Sequence, residues 1–205
     1  MFTGIITDIG RLTSVTREKN RSEWGDTRMV VTTAYDTSTI DIGASIAHSG
    51  ACMTVVEKGP DWYAFDVSDE SLDKTTMADW VEGDRINLER AMTGKDEFGG
   101  HMVTGHVDAV GTVISRESVA GSLRFVIKAP DDLMFGIAPK GSVTVDGVSL
   151  TVNAVDTTGF HLNIIPHTAE VTTLGNLQPG DSVNLEIDVI ARYVARYLEH
   201  MKAKA

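Results

Sequence analysis

The chain repeats itself once, and this duplication constrains its fold more than any other feature. Residues 45–89 match residues 142–186 at a constant offset of 97, with 11 identities in 45 pairs, where roughly three are expected from average residue usage. A second match, at an offset of 101, pairs Thr3-Gly4 with Thr104-Gly105. The change of offset falls within 11–44 and predicts a loop there, because loops tolerate insertions. The period is too long for a solenoid, so we predict two copies of one small domain.

Each copy consists of short β-rich runs separated by turns. Residues 123–128 alternate between apolar and polar sides, as a half-buried strand does. Asp146-Gly147 stands between two apolar runs and predicts a hairpin, and Ser49-Gly50 occupies the same place in the first copy. Only 69–77 and 166–174 favour one or two helical turns. About six strands per copy predict an all-β antiparallel barrel or sandwich.

The tail, Asp188 to Ala205, has no counterpart in the first copy. Its apolar residues recur at three- and four-residue spacing, which predicts an amphipathic helix of about four turns. These residues are Ile190, Val194, Tyr197 and Met201. Periodicity alone leaves two interpretations open, in which the helix packs on its own barrel or forms a seam between subunits.

Composition and charge exclude several classes of protein. The net charge of −11, with no basic run, argues against a nucleic-acid partner, because phosphate binding needs clustered Lys and Arg. A single cysteine excludes an intrachain disulfide framework and fits a reducing compartment. The N-terminus has no charged leader, and no apolar run reaches the length of a membrane span. We therefore expect a cytoplasmic location and no membrane association.

Six strings in a fixed order carry a resemblance to a known family. They are MFTGI at the N-terminus, SIAHSGACMTV at 45–55, GGHMVTGHVD at 99–108, DGVSLTVN at 146–153, TTLG at 172–175 and NLEID at 184–188. With the duplication and the terminal helix, they resemble riboflavin synthase of the α-chain type over essentially the whole chain. The resemblance implies two tandem six-stranded Greek-key antiparallel barrels plus a C-terminal α-helix. The implied divisions are a barrel at 1–90, a linker at 91–98, a barrel at 99–187 and a trimerisation helix at 188–205.

The resemblance also implies an activity. Riboflavin synthases convert two molecules of 6,7-dimethyl-8-ribityllumazine into riboflavin and 5-amino-6-ribitylamino-pyrimidinedione by transfer of a four-carbon unit, without a metal or redox cofactor. Their site lies between the first barrel of one subunit and the second barrel of a neighbour in a homotrimer. Lumazine synthase is a candidate partner, and the sequence does not show whether the chain docks on it. The duplication fits this reaction, because two related pockets would hold two identical molecules in position.

The implied substrate contacts fall on matching segments of the two copies. For the first barrel they are Gly4, Ile5, Ile6, Cys52, Met53, Thr54, Asp66, Val67, Ser68, Asp69, Glu70 and Ser71. For the second barrel they are Gly105, His106, Val107, Lys140, Ser149, Leu150, Thr151, Asn163, Ile164, Ile165, Pro166, His167 and Thr168. The two sets superpose under the internal offsets, so the repeat predicts the same correspondence.

Five residues are expected to take part in the chemistry. His106 is the expected proton carrier, because imidazole titrates near neutral pH. Cys52 is expected to contact the ligand and to assist the nucleophilic step. Ser45 and Ser149 are expected to orient water or a ribityl hydroxyl. Asp188 is expected to cap the terminal helix and, by the resemblance, to lie near the site.

Three other functions are weighed against this one. Lumazine proteins share the duplicated fold and bind the ligand without reacting, but they generally lack the full GGHxVxGHVD segment and the long terminal helix. A flavin reductase needs a nicotinamide domain with a Gly-rich turn, for which two barrels leave no room. A zinc enzyme is disfavoured because His101, His106 and the single cysteine do not form a metal-ligand spacing.

Overall fold

The first copy folds into a closed β-barrel and the second into a seven-stranded sheet of the same plan, which we call the second barrel; a helix follows it. The structure, a computed structural model, describes residues 1–17 and 27–204. The first copy contains β1 (Asp8–Arg17), β2 (Thr27–Thr32), β3 (Ser45–His48), β4 (Ala51–Lys58), β5 (Trp62–Val67) and β6 (Arg85–Arg90). The second contains β7 (Ala109–Val119), β8 (Ser122–Lys128), β9 (Ser142–Val145), β10 (Val148–Thr151), β11 (Ala154–Val155), β12 (Phe160–Ile164) and β13 (Ser182–Ile187). The helices are α1 (Asp69–Lys74), α2 (Pro166–Val171) and α3 (Val189–Lys202), with 3-10 turns at Thr37–Thr39, Thr76–Asp79, Met134–Gly136 and Thr173–Asn176.

The first barrel is closed and has a Greek-key strand order. Its strands run β1-β2-β5-β4-β3-β6 around the barrel, so that the chain returns to place β5 beside β2. Alternate residues of each strand face inward, as in β2, where Met29 and Val31 are buried and their neighbours are partly exposed. The all-β, Greek-key prediction is confirmed for this copy.

The second barrel follows the same plan but has one strand divided in two. Its order is β10-β9-β13-β7-β8-β12-β11, and β10 and β11 belong to the single stretch 148–155 that corresponds to β4. The break falls at Asn153, a poor strand former, whose N–H still donates to His161 O at 2.8 Å. The equivalent residue of the first barrel, Val56, lies at a β-bulge. Six strands were expected here, and seven form because the bulge position has become a break.

Strand pairing locates the length difference between the copies. Leu12 pairs with Val31 in the first barrel and Val113 with Ile127 in the second, so the offset changes from 101 on β1 to 96 on β2. That change falls at 18–26, outside the described residues. A one-residue change between 33 and 44 then restores the offset of 97 seen from β3 onward.

The two barrels meet at their hairpin turns. Ser49 and Gly50 both have positive φ, as do Asp146 and Gly147, which confirms the predicted two-residue hairpins. A Cβ built on Gly50 would lie 2.9 Å from the N atom of Gly147. This close approach therefore requires glycine on both sides.

Two buried asparagines fasten these turns to the opposite barrel. Asn87 and Asn184 correspond in the repeat, and each side chain donates to a turn carbonyl and accepts from the first N–H of a 3-10 turn in the other barrel. The partners are Asp146 O and Thr173 N for Asn87, at 2.9 and 2.8 Å, and Ser49 O and Thr76 N for Asn184, both at 2.8 Å. Two equivalent asparagine side chains, one from each barrel, thus hold the barrels together through the same pair of hydrogen bonds.

The terminal helix α3 leaves its apolar side uncovered. Asp188 caps it by accepting from Ile190 N at 2.8 Å, as predicted, and Arg192 ties it to Asp108 of the second barrel at 2.7 Å. Tyr193 is 71% exposed and Tyr197 62% exposed. The interpretation in which the apolar stripe packs on its own barrel is therefore wrong. In the described residues no helix combines the length and apolarity that crossing a membrane requires.

The core of the first barrel contains one polar pair that the second lacks. His48 is fully buried; its Nδ1 donates to Ile46 O at 3.0 Å and its Nε2 accepts from the Tyr63 hydroxyl at 2.9 Å. Burial lowers the pKa of His48 to about 3. The second barrel has Val145 and Phe160 at the equivalent positions.

We expect His48 to make the fold acid-sensitive. Because its folded pKa is about 3 and its unfolded value is about 6.5, unfolding takes up a proton between these values, and stability is lost as pH falls through that window. From pH 7 to pH 5 this loss is about 2 kcal/mol. The double variant His48→Val with Tyr63→Phe introduces the residue types that the second barrel has at these positions. It should remove this loss of stability. Urea unfolding at both pH values measures this, with the exposed-site variant His200→Gln as control; an unchanged pH dependence in the double variant would contradict the assignment.

Candidate functional site

The two segments that precede the barrels cross each other. Phe2 and Val103, which correspond at the offset of 101, form an antiparallel bridge with N–H to O distances of 2.8 and 3.1 Å. Both side chains are buried, together with Ala47, in a small cluster between the barrels. As a result, each segment runs past its equivalent and ends against the other barrel.

The crossing corrects the grouping of the candidate residues. Gly4 O accepts from Ser149 N at 2.9 Å, and Gly105 O accepts from Cys52 N at 2.8 Å. Ile6 packs against the second core and Val107 against the first. The assignment of 4–6 to the first-barrel set and of 105–107 to the second-barrel set is therefore wrong. Correspondence in a repeat does not distinguish a segment that stays with its own copy from one that is exchanged.

Both crossing points need glycine. Gly4 and Gly105 have φ of +77° and +81°, a region that L side chains rarely adopt. A Cβ on Gly4 would lie 2.5 Å from the Cβ of Ser149, and one on Gly105 would lie 2.6 Å from the Cβ of Cys52. The segments thus lie directly on the strands that carry these two side chains.

One group of candidate residues, which we call the first patch, lies on the outer face of the first barrel. Cys52 and Thr54 point outward from β4, and Ser45 pairs with Thr54, so its side chain is on the same face. Asp66 lies 3.9 Å from the guanidinium of Arg28. The members of this patch are Ser45, Cys52, Thr54, Asp66, Ser68, Asp69, Glu70, Ser71, Gly105, His106 and Val107. Ser68 and Ser71 also cap α1, through Ser71 N to Ser68 Oγ at 3.2 Å.

A second group of candidate residues, which we call the second patch, has the same arrangement on the second barrel. Ser149 and Thr151 lie on β10, and Lys140 N donates to Val152 O at 2.7 Å at the end of that strand. Asn163 leads from β12 into Pro166, the first residue of α2. The members of this patch are Gly4, Ile5, Ile6, Lys140, Ser149, Thr151, Asn163, Ile165, Pro166, His167 and Thr168.

Four candidate residues turn away from these surfaces. Met53, Val67 and Ile164 are buried and belong to the barrel cores, and Leu150 packs against the second core. Only their backbone groups are available to a ligand. The motif strings include them because strands alternate, so every second residue of a binding strand faces the interior.

A histidine–serine pair marks the second patch. Nδ1 of His101 lies 2.6 Å from Ser149 Oγ, and Nε2 lies 3.3 Å from Thr144 Oγ1. Burial lowers the pKa of His101, and the negative charge of Asp188 raises it in part. The imidazole is therefore neutral near pH 7, and the tautomer that donates to Thr144 leaves Nδ1 free to accept the Ser149 proton.

His101 was missed as a site residue by sequence reasoning, which considered it only as a metal ligand. A usable signal was present, since it lies in the same GGHMVTGHVD string as His106. In the first patch Cys52 stands in place of Ser149, and no histidine among the described residues is hydrogen-bonded to it. His106 is exposed and follows Gly105 beside the first patch.

Two apolar grooves flank α3. One, of about 680 Å³, is lined by Phe135, Ile190, Val194 and Leu198; the other, of about 530 Å³, is lined by Met102, Tyr193 and Tyr197. Throughout 1–17 and 27–204, no three His, Cys, Asp or Glu side chains come together in a way that could hold a metal ion.

Comparison with known proteins agrees with this architecture. The sequence model of the Lumazine binding domain matches residues 3–91 and 104–188. The chain is 47% identical to a riboflavin synthase from Brucella abortus, over 98% of this chain and 100% of the relative, and 42% identical to one from Photobacterium phosphoreum, over 97% and 89%. A riboflavin synthase from Bacillus subtilis is 33% identical over 97% and 90%.

Solved structures of LumP have the same fold. LumP with 6,7-dimethyl-8-(1'-D-ribityl) lumazine superposes with a TM-score of 0.79, and LumP with riboflavin superposes with 0.81; both are 26% identical and cover 91% of this chain, with 98% and 99% of the LumP chains covered. Two matched domains, full-length relatives and a common fold together show that the chain belongs to the riboflavin synthase family of lumazine-binding proteins.

Proposed function

We propose that this protein is a riboflavin synthase, which converts two molecules of 6,7-dimethyl-8-ribityllumazine into riboflavin and 5-amino-6-ribitylamino-2,4(1H,3H)-pyrimidinedione. The observation that carries the proposal is the pair of equivalent patches, each built from a β-strand, a following helix and a segment exchanged from the other half of the chain. Two identical molecules need two related sites, and this chain has two. Full-length relatives named riboflavin synthase support the same reaction.

The patches differ where the chemistry has to differ. One substrate molecule must lose a proton from its C7 methyl group, and the other must be attacked at C7. The second patch has the neutral His101 hydrogen-bonded to Ser149, so the methyl proton can pass through Ser149 Oγ to Nδ1 of His101 as the C–H bond breaks. The first patch has Cys52 at the equivalent position and His106 beside it. Backbone N–H and C=O groups of the exchanged segments would bind the polar edge of each ring.

We further propose a homotrimer that associates through α3, in the cytoplasm, with lumazine synthase as a partner. The exposed Ile190, Tyr193 and Tyr197 and the two apolar grooves support the helix as the contact. The exposed position of Thr54 and Thr151 favours sites that a neighbouring subunit completes. The divisions at 1–90, 91–98, 99–187 and 188–205 remain our proposed domain boundaries.

A single assay distinguishes the synthase from a ligand carrier. Purified protein is mixed with 6,7-dimethyl-8-ribityllumazine alone, with chelator and without an added cofactor, and absorbance is followed. We expect two lumazine molecules to be consumed for each riboflavin formed. Tight binding with lasting lumazine fluorescence and no riboflavin would contradict the enzyme and favour the second candidate, a lumazine-binding protein like LumP, whose fold this chain shares.

The His101–Ser149 pair should affect turnover more than binding. Ser149→Ala and His101→Gln each remove one member of the proton path, and we expect kcat to fall by about 10²- to 10⁴-fold, the usual range for a positioned acid or base. Ser118→Ala, at an exposed position of β7, serves as control. Steady-state kinetics measures the effect, and an unchanged kcat in both variants would remove this pair from the mechanism.

The helix face should determine the oligomeric state. Tyr193→Glu with Tyr197→Glu introduces charge into the exposed apolar side of α3, and we expect the mass in sedimentation to fall from about three times 22.1 kDa to one, with loss of activity. Arg196→Gln removes one partner of an exposed ion pair of the same helix, outside both grooves, and should leave the trimer intact. A fully active monomer would show that the patches need no neighbouring subunit.

A further inference from the structure

Two buried carboxylates hold the exchanged segments. Glu89, on β6, accepts from Thr3 N at 2.6 Å, from Thr3 Oγ1 at 2.7 Å and from Gly4 N at 2.9 Å. The side chain is almost fully buried. It thus receives three hydrogen bonds from two consecutive residues, which fixes both the position and the direction of that backbone.

Glu186, on β13, makes the equivalent set of contacts. It accepts from Thr104 N and Thr104 Oγ1, both at 2.7 Å, and from Gly105 N at 3.0 Å. Within the described part of the chain neither carboxylate forms an ion pair with Lys or Arg. Burial raises the pKa of both groups, and the backbone and hydroxyl donors lower it in part. These donors are therefore what compensates each buried carboxylate.

Each held segment borders the patch of the opposite barrel. Thr3-Gly4 is held by a strand of the first barrel, yet Gly4 O accepts from Ser149 N in the second patch. Thr104-Gly105 is held by a strand of the second barrel, yet Gly105 O accepts from Cys52 N in the first patch. Hydrogen bonds connect each carboxylate to the opposite patch through this short piece of backbone.

We propose that Glu89 and Glu186 are positioning residues that act across the barrels, Glu89 on the second patch and Glu186 on the first. Each sets where the backbone of its segment meets the ligand, and neither touches the ligand itself. The identity of the ligand in this inference rests on the proposed function. The crossed arrangement of the two carboxylates does not, because it is present in the protein without a ligand.

The single cysteine allows each patch to be followed separately. Cys52 lies in the first patch and is the only thiol of the chain, so its reaction with a chromogenic disulfide reagent reports that patch alone. The variant Cys52→Ser with Ser149→Cys moves the thiol to the equivalent position of the second patch. Glu89→Gln and Glu186→Gln are then made in both backgrounds, because Gln has the same shape but only one oxygen to accept the donors.

In the free protein, we expect Glu186→Gln to raise the reaction rate of Cys52 by about tenfold, the effect of losing about one charge-assisted hydrogen bond. Glu89→Gln should leave that rate within about twofold. In the background with the thiol at position 149, Glu89→Gln should instead raise the reaction rate by about tenfold and Glu186→Gln should leave it within about twofold. Glu117→Gln, at an exposed position, is the matched control.

With 6,7-dimethyl-8-ribityllumazine present, the concentration that half-protects the thiol should rise in the same crossed pattern. If each Gln variant affected the patch of its own barrel, or both patches equally, the crossed positioning would be wrong. A Cys52 that the lumazine fails to protect in the unaltered protein would instead contradict the proposed function, while the rates in the free protein would still decide the role of the carboxylates.

Discussion

The exchange of segments between the barrels is the interaction on which the rest of this structure depends. The Phe2–Val103 bridge fixes the crossing point, and the reciprocal contacts of Asn87 and Asn184 fix the distance between the hairpin turns. Buried amides that satisfy backbone groups tolerate little displacement, because an unmade hydrogen bond costs about 1–3 kcal/mol. The relative position of the two patches is therefore a property of the folded chain, set before any substrate binds.

Within this near-symmetric frame, the two halves have diverged at a few positions. The first core contains His48 and Tyr63 where the second has Val145 and Phe160, and β4 is continuous where β10 and β11 are divided. The functional difference among the described residues is that His101 pairs with Ser149 in the second patch, whereas Cys52 of the first patch has no histidine partner. A reaction between two identical lumazine molecules needs this kind of difference, because one molecule donates a four-carbon unit and the other accepts it.

Much of the fold could be predicted from the sequence, because local physics determines it. The Asp146-Gly147 turn, the short helices after β5 and β12, the Asp188 cap and the amphipathic α3 all follow from residue preferences and periodicity. The crossing could not be predicted, since an offset relates residues by position in a repeat and not by contact. The part played by His101 and by Glu89 required the fold, because each acts on a residue distant in sequence, Ser149 in one case and Gly4 in the other.

The crossing has a consequence for how such a chain can be divided. A half containing only β1 to β6 would keep Cys52 and its strand but would lack Gly105 and the residues around it, so its patch would have an unpaired edge at Cys52 N. The equivalent segment 1–7 of a second identical half fits that edge. In the intact chain Gly4 O accepts a hydrogen bond from Ser149 N in the same way that Gly105 O accepts one from Cys52 N. A single half is thus built to pair with a copy of itself, and the link at 91–98 turns that encounter of two molecules into a contact within one chain.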